Sequence, residues 1–237
     1  IIYHKAFGYF DYNKRNPVSL SDIYDLASIT KVAASTLGVM KMYEEGMVSL
    51  DAPMAEFLPD LKQSNKSSIT ITEAMSHQSG LMSWIPFYKE TLIKVKKRQY
   101  KPDPKYYSSK ASGNFNVPVA HGMFLKNGYD QLIWSSILNS EMRTSKRYLY
   151  SDLGFYLIAH MIQHQTGQRI DNYLTKKFYG PLGLSATLYN PYKKLPITVI
   201  ASTEDDHYWR NTKIQGYVHD MGAAMMDGVS GHAGLFS

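Results

Sequence analysis

The stretch Asp25-Leu26-Ala27-Ser28-Ile29-Thr30-Lys31 sets a hydroxyl and an amine three positions apart among mostly small and apolar residues. Residues i and i+3 share one face of a helix, so the Ser28 and Lys31 side chains are expected within hydrogen-bond reach. That spacing puts a nucleophile beside a proton partner. A serine hydroxyl must lose its proton as it attacks an acyl carbon, and burial makes a neighbouring amine easier to deprotonate. A place in the first turn of a helix adds unpaired backbone N–H groups and the positive end of the helix, both of which favour an oxyanion at the acylated serine. Serine is also a common helix cap, and lysine commonly snorkels from a half-buried face, so the pair alone is ambiguous. It is the only Ser-x-x-Lys in the chain.

A second candidate is Tyr150-Ser151-Asp152, which stands immediately before an apolar run. Lowering a phenol from pKa ~10 to ~7 takes about 4 kcal/mol of preferential stabilisation of the phenolate, much of which a Lys31 cation beside it would supply. The competing readings are a core aromatic for Tyr150 and a plain N-cap for Asp152. The same Tyr-x-Asp pattern at Tyr9 and Asp11 precedes an apparent hairpin turn, so the position before a helix is what distinguishes the later copy.

The elements that must bring these residues together are legible in outline. Residues 1–10 are rich in Ile, Tyr and Phe, and the polar "DYNKRNP" that follows predicts a strand, a turn and a second extended run through "VSLSDIYDLA". Val32, Leu37, Met40 and Tyr43 recur at helical spacing up to Gly46, predicting a helix of about four turns from near Ser28. "DAPMAEFLPD" reads as a short capped turn, and Thr70 with Glu73 forms a capping-box pattern for a helix stopped by Gly80. Residues 94–120 are the least periodic. Lys94, Lys96, Lys97, Arg98, Lys101, Lys105 and Lys110 interleave there with Tyr100, Tyr106 and Tyr107, which reads as a long solvated loop or as a rim for an acidic polymer. A helix in "YDQLIWSSILNS", another from Asp152 to Gly167 and a third in "DNYLTKKFYG" follow. Strands first and helices after them argue for an α+β arrangement.

Composition narrows the class. The 237 residues are 44% hydrophobic, with a net charge of +6 and no cysteine. A chain of this length buries roughly 70 to 75% of its unfolded surface, enough for one large or two small domains. The absence of cysteine excludes disulfides and thiolate metal sites. No apolar run reaches the ~18 to 20 residues of a membrane span, and charges of both signs are dispersed, so no nucleic-acid partner is expected. His160 and His164 have zinc-compatible i, i+4 spacing, but Met161 stands where a metalloprotease motif needs glutamate, so they read as helix-surface histidines. "EDDHYWR", from Glu204, reads as an exposed polar turn, and no Gly-x-Ser-x-Gly elbow is present.

"ASITK" followed far downstream by "YSDLGFYLI" resembles the serine β-lactamase and penicillin-binding group, in its class C and esterase-like branch. "ITITEAMSHQSGL" is similar to that group's "ITIRHLLTHTSGL", and "YGPLGL" to its "PLGM" stretch, so the likeness runs through essentially the whole chain, most weakly over 94–135. The resemblance implies a β-lactamase/transpeptidase-like α+β fold, with a partial antiparallel sheet flanked by helices and a mostly helical lobe. It divides the chain into a sheet-side region with the nucleophile helix (1–50), a helical lobe carrying the basic Tyr-rich insertion (51–195) and a return toward the sheet (196–237). Carried onto this chain, it makes Ser28 the acylated nucleophile, Lys31 its proton partner and Tyr150 the general base and later acid. Asp152 falls where relatives usually carry Asn, and is expected to pair with Lys31.

The resemblance further implies no metal or organic cofactor, a small-molecule or peptidoglycan-derived substrate and a periplasmic or cell-envelope location. Some relatives follow a family-three glycoside hydrolase domain. The third motif of the group, Lys or His-x-Gly, is mimicked by His232-Ala233-Gly234. Leu235-Phe236-Ser237 instead matches a stretch that opens a helix before that motif, so the motif is expected beyond Ser237 and this chain alone is expected to turn over poorly. The reading is thus a serine acyl hydrolase of an ester, a D-amino-acid peptide or a lactam. The rivals are a penicillin-binding sensor that acylates without turnover and an interaction domain for anionic polymers.

Overall fold

The computed structural model describes residues 2–97 and 99–237, so Ile1 of the N-terminal run and Arg98 of the basic segment lie outside the described residues. The helical run that carries the Ser/Lys pair has three windings. Ala27–Ile29 is a 3₁₀ turn, Lys31–Thr36 is π-helical, and α1 (Leu37–Glu44) is α-helical, with Gly46 at φ +70° just beyond its end. Its inward face also differs from the expected one. Val32, Met40 and Tyr43 are exposed, and the buried positions are Lys31, Ala34, Ser35, Gly38, Val39 and Met42. Close approach explains this: a Cβ on Gly38 would lie 2.8 Å from Ile162 Cδ1, so small residues face the neighbouring helix and larger ones point out.

That neighbour begins after a second helix. The Thr70–Glu73 capping box is formed, with Glu73 N–H donating to Thr70 Oγ1 at 3.1 Å and Thr70 N–H donating to Glu73 Oε2 at 3.2 Å. The helix it starts, α2 (Ile71–Met75), ends well before the expected stop at Gly80. The capped turn ahead of it consists of two 3₁₀ pieces, Met54–Glu56 and Pro59–Leu61.

Residues 94–120 are not a loop. β1 (Leu92–Lys96) and β2 (Gln99–Pro102) pair antiparallel, and β3 (Tyr107–Ser108), β4 (Phe115–Ala120) and β5 (Met123–Lys126) form a sheet in the order β3-β5-β4. Lysine-rich strands lack a period-2 apolar signal because β1 and β2 stay largely exposed on both faces. α3 (Tyr129–Asn139) follows, then α4 (Leu153–Thr166), closed by Gly167 at φ +66°. α4 is the centre of the core: Leu153, Leu157, Ile158, Met161 and Ile162 are fully buried, and a Cβ on Gly154 would come within 3.1 Å of the Ala74 carbonyl of α2. α5 (Ile170–Leu174) runs on into π-helical Thr175–Tyr179.

In the last third, β6 (Leu188–Tyr189), β7 (Ser202–Asp206), β8 (Thr212–Gln215), α6 (Met221–Met225) and β9 (Leu235–Phe236) complete the chain. β7 pairs with β8 and β6 with β9, both antiparallel. The expected N-terminal strands are absent among the described residues; isolated bridges join Tyr9 to Pro17, Ile23 to Ile200 and Asp25 to Phe236. The "EDDHYWR" segment is also not an exposed turn. Asp206, Trp209 and Arg210 are buried, with Asp206 accepting from the backbone N–H groups of Tyr208, Trp209 and Arg210 and pairing with Arg210 Nε at 3.1 Å. Pairing makes the burial of both charges tolerable, and composition alone does not reveal pairing.

Candidate active site

Ser28 lies in the 3₁₀ turn, directly after Ala27, whose φ of +46° is in the left-handed region that L side chains disfavour. Two bonds hold the turn: Ala27 N–H donates to Asp25 Oδ1 at 2.8 Å, and Leu26 N–H donates to the Leu235 carbonyl at 2.9 Å. The other Asp25 oxygen accepts the His219 N–H at 2.8 Å, so one carboxylate ties the Ser28 turn to the segment entering α6.

Lys31 is the hub. Its Nζ lies 2.8 Å from Ser28 Oγ, 2.7 Å from Asp152 Oδ1 and 3.1 Å from the His232 carbonyl, and the residue is 4% exposed. These three oxygens match in number the three donors of an ammonium. Asp152 occupies the N-cap position of α4 but makes no side-chain cap, because its carboxylate turns to Lys31. Ser151 takes over, its Oγ accepting the Leu153 N–H at 3.2 Å while donating to the Met82 carbonyl at 2.6 Å. Tyr150 meets Lys31 through its ring, whose centroid is 4.9 Å from Nζ, and stays 41% exposed. The four residues singled out in the sequence therefore converge, Ser28, Lys31 and Asp152 by direct polar contact and Tyr150 by its ring face.

The segment before β9 walls the site. Ser35 Oγ donates to the Gly231 carbonyl at 2.7 Å, and Leu235 N–H donates to Thr30 Oγ1 at 3.1 Å. The His232 imidazole is 2% exposed and has both nitrogens engaged, Nε2 with Asp220 Oδ1 and Nδ1 with Ser230 Oγ, each at 2.8 Å. It stacks on Tyr156 at 4.3 Å, so it acts as a wall and not as a ligand-facing group. Leu235 and Phe236 are extended in β9, not the opening of a helix. Burial opposes ionisation of Asp220, but the charge and hydrogen bond of His232, with the Ala223 N–H, hold its carboxyl well below the usual range. A cavity of about 30 Å³, lined in part by Trp84, Asp152, Tyr156, Asp220 and His232, adjoins the Lys31–Asp152 pair.

Two further findings concern histidines. His164 is exposed as expected, whereas His160 is half-buried: it stacks on Trp134 at 3.9 Å, and burial pushes its imidazole down to about 4. Among the described residues, no cluster of three or more His, Cys, Asp or Glu is arranged to hold a metal ion. His77 is the residue that sequence reasoning passed over. Its ring lies 4.5 Å from that of Tyr150, and its signal in the sequence was its place in "ITITEAMSHQSGL", the stretch similar to the family's "ITIRHLLTHTSGL".

The Beta-lactamase family model matches residues 1–237. The chain is 28% identical over 234 residues to the N-acetylmuramyl-L-alanine amidase of Bacillus subtilis (strain 168), an alignment covering 91% of this chain and 47% of that protein. In fold it is similar to the octameric penicillin-binding protein homologue from Pyrococcus abyssi, with a TM-score of 0.62 at 20% identity over 100% of this chain and 46% of that one. It is likewise similar to the class C beta lactamase from Rhodobacter sphaeroides, with a TM-score of 0.57 at 18% identity over 97% of this chain and 52% of the other. The chain thus spans about half the length of the relatives it matches.

Proposed function

The chain belongs to the beta-lactamase family, and from that premise we propose that it is a serine acyl hydrolase in which Ser28 attacks an amide or ester carbonyl and carries the acyl group. The observation that carries this reading is the three-way contact of Lys31 with Ser28 Oγ, Asp152 and the His232 carbonyl in a nearly solvent-free position.

The chemistry follows from who can take a proton. In this reading Lys31, in contact with all three partners, orients the hydroxyl and supplies positive charge where an oxyanion develops. Tyr150 is the base of this reading. Its ring lies 4.9 Å from Lys31 Nζ, on the side of the site where the Ser28 hydroxyl meets that amine. Returning that proton to the leaving group breaks the C–N or C–O bond and leaves the acyl-enzyme. Asp152, 2.7 Å from Lys31 Nζ, holds the amine in place by a charge-assisted contact that an asparagine amide would make less strongly.

The name of the Bacillus relative concerns an amide of N-acetylmuramic acid, which supports a substrate derived from peptidoglycan and a place in the cell envelope. No helix among the described residues is long and apolar enough to cross a membrane. Intact mass after exposure to a fluorophosphonate or a penicillin tests the reading, because acylation needs no turnover. An adduct on Ser28 that vanishes in Ser28→Ala is the expected result; rapid release of the penicilloyl group marks a hydrolase and a persistent adduct the sensor reading. Absence of any adduct with either reagent refutes the nucleophile assignment.

A further inference from the structure

We propose that His77 is the positioning residue for Tyr150, clamping the strand of chain from Leu149 to Ser151 from both its backbone and its ring. The inference rests on the reading of Ser28, Lys31 and Tyr150 given above.

Three contacts define the clamp. The His77 carbonyl accepts the Leu149 N–H at 3.0 Å, and its Nδ1 accepts the Ser151 N–H at 3.1 Å. One residue thus grips the backbone on either side of Tyr150. Between these two bonds the imidazole lies against the Tyr150 ring, with centroids 4.5 Å apart and planes inclined by 34°. Tyr150 is 41% exposed, and Lys31 Nζ lies 4.9 Å from its ring centroid. A half-exposed catalytic side chain on a non-helical stretch needs such a brace if its oxygen is to stay on a reacting path.

His77 is itself held firmly. Phe155 and Tyr148 pack on its ring at 5.5 and 5.9 Å, the first of them from α4. Its backbone adopts φ +60°, a conformation uncommon for a residue with a side chain and tolerated best by Asn, Asp and His. That twist follows directly after α2 and turns the carbonyl and the ring toward the same segment. An imidazole nitrogen that accepts a backbone N–H must be unprotonated, which places the proton of the neutral ring on Nε2. Burial first, and then the Lys31 cation, lower the imidazole's proton affinity; Asp152 pulls the other way and does not prevail.

The test separates positioning from folding. His77→Gly accepts the backbone twist but removes both acceptor and ring, whereas His77→Asn accepts the twist and keeps an oxygen near the position of Nδ1. Labelling by a fluorophosphonate, followed by intact mass, gives an amplitude (the folded fraction) and a rate (the competence of each folded site). We expect His77→Gly to keep the wild-type amplitude and to slow labelling roughly ten- to a hundredfold, the scale on which about 1 Å of misplacement acts. His77→Asn is expected to recover the rate to within about threefold of wild type, on the reasoning that the lost hydrogen bond is remade. An unchanged rate in His77→Gly, a loss of amplitude alone, or an Asn variant as slow as the Gly variant would each overturn the proposal. If the wild type itself is not labelled on Ser28, the parent reading fails instead. The clamp is then read from hydrogen exchange at the Ser151 amide, which should accelerate at least tenfold in His77→Gly and stay protected in His77→Asn; equal exchange in both overturns it.

Discussion

Asp152→Ala removes the only carboxylate on Lys31 among the described residues, and the structure sets the size of the effect. At 2.7 Å the pair's gross attraction is about 6 kcal/mol with an effective dielectric of ~20. Most of this offsets the desolvation of two charges, yet breaking a buried pair from one side typically costs about 3–5 kcal/mol because it strands the other charge. Here the Asp152 side chain is 24% exposed and Lys31 keeps two neutral acceptors, so about 2–3 kcal/mol is the reasonable loss. In a domain of this size that lowers the melting temperature by about 5–10 °C. Asp152→Asn retains an acceptor and should fall between the two. Urea unfolding monitored by tryptophan fluorescence measures this, and the decisive comparison is the cycle with Lys31→Met. With no ammonium left to strand, Asp152→Ala should cost under ~1 kcal/mol, a coupling of about 2 kcal/mol. Equal costs in the two backgrounds would refute the claim that Asp152 acts on stability through the Lys31 charge.

Two other outcomes follow from the same geometry. His160 titrates at about 4 in the folded protein against 6.5 for an ordinary histidine, so the unfolded chain binds its proton first. Its stabilising effect is then complete above pH ~6.5 and lost as pH falls through ~4, about 3 kcal/mol at most. His160→Gln should flatten that acid limb in denaturant titrations across this window; an unchanged limb means that other groups cause it. Gly231→Ala would set a Cβ 2.2 Å from the Phe155 carbonyl and 2.7 Å from Ser35 Oγ, and should cost at least ~1–3 kcal/mol by forcing the His232 segment away from Lys31. A wild-type melting curve for that variant would show that the segment does not seat as described.

The capping box at Thr70 and Glu73, the helix from Leu153 to Thr166 and the helix over Tyr129–Asn139 were all legible, because caps and long apolar periods are local signals. The strands between Leu92 and Lys126 were not. β1 and β2 are mostly exposed, and β3 to β5 are two to six residues long, too short to write an alternating pattern although Val119, Ala120 and Leu125 are buried. The outward turn of Val32, Met40 and Tyr43 misled for a different reason: periodicity shows that a face exists, and the fit of Gly38 against Ile162 decides which face is buried. His77 stood in a stretch with a family likeness, but its contacts were not legible because they reach backbone more than seventy positions away.

By itself the sequence determined the candidate set. Ser28 and Lys31 had to meet because three residues make nearly one helical turn, and Asp152 in place of the family's usual asparagine announced a carboxylate for the lysine. What only the tertiary structure decided is what surrounds that set. Packing brings the His232 carbonyl and Asp152 onto Lys31 from distant parts of the chain and lays the Tyr150 ring beside its amine. Spacing along a helix governs neighbours within a turn, whereas burial and the number of acceptors around a charge depend on chain that arrives from elsewhere.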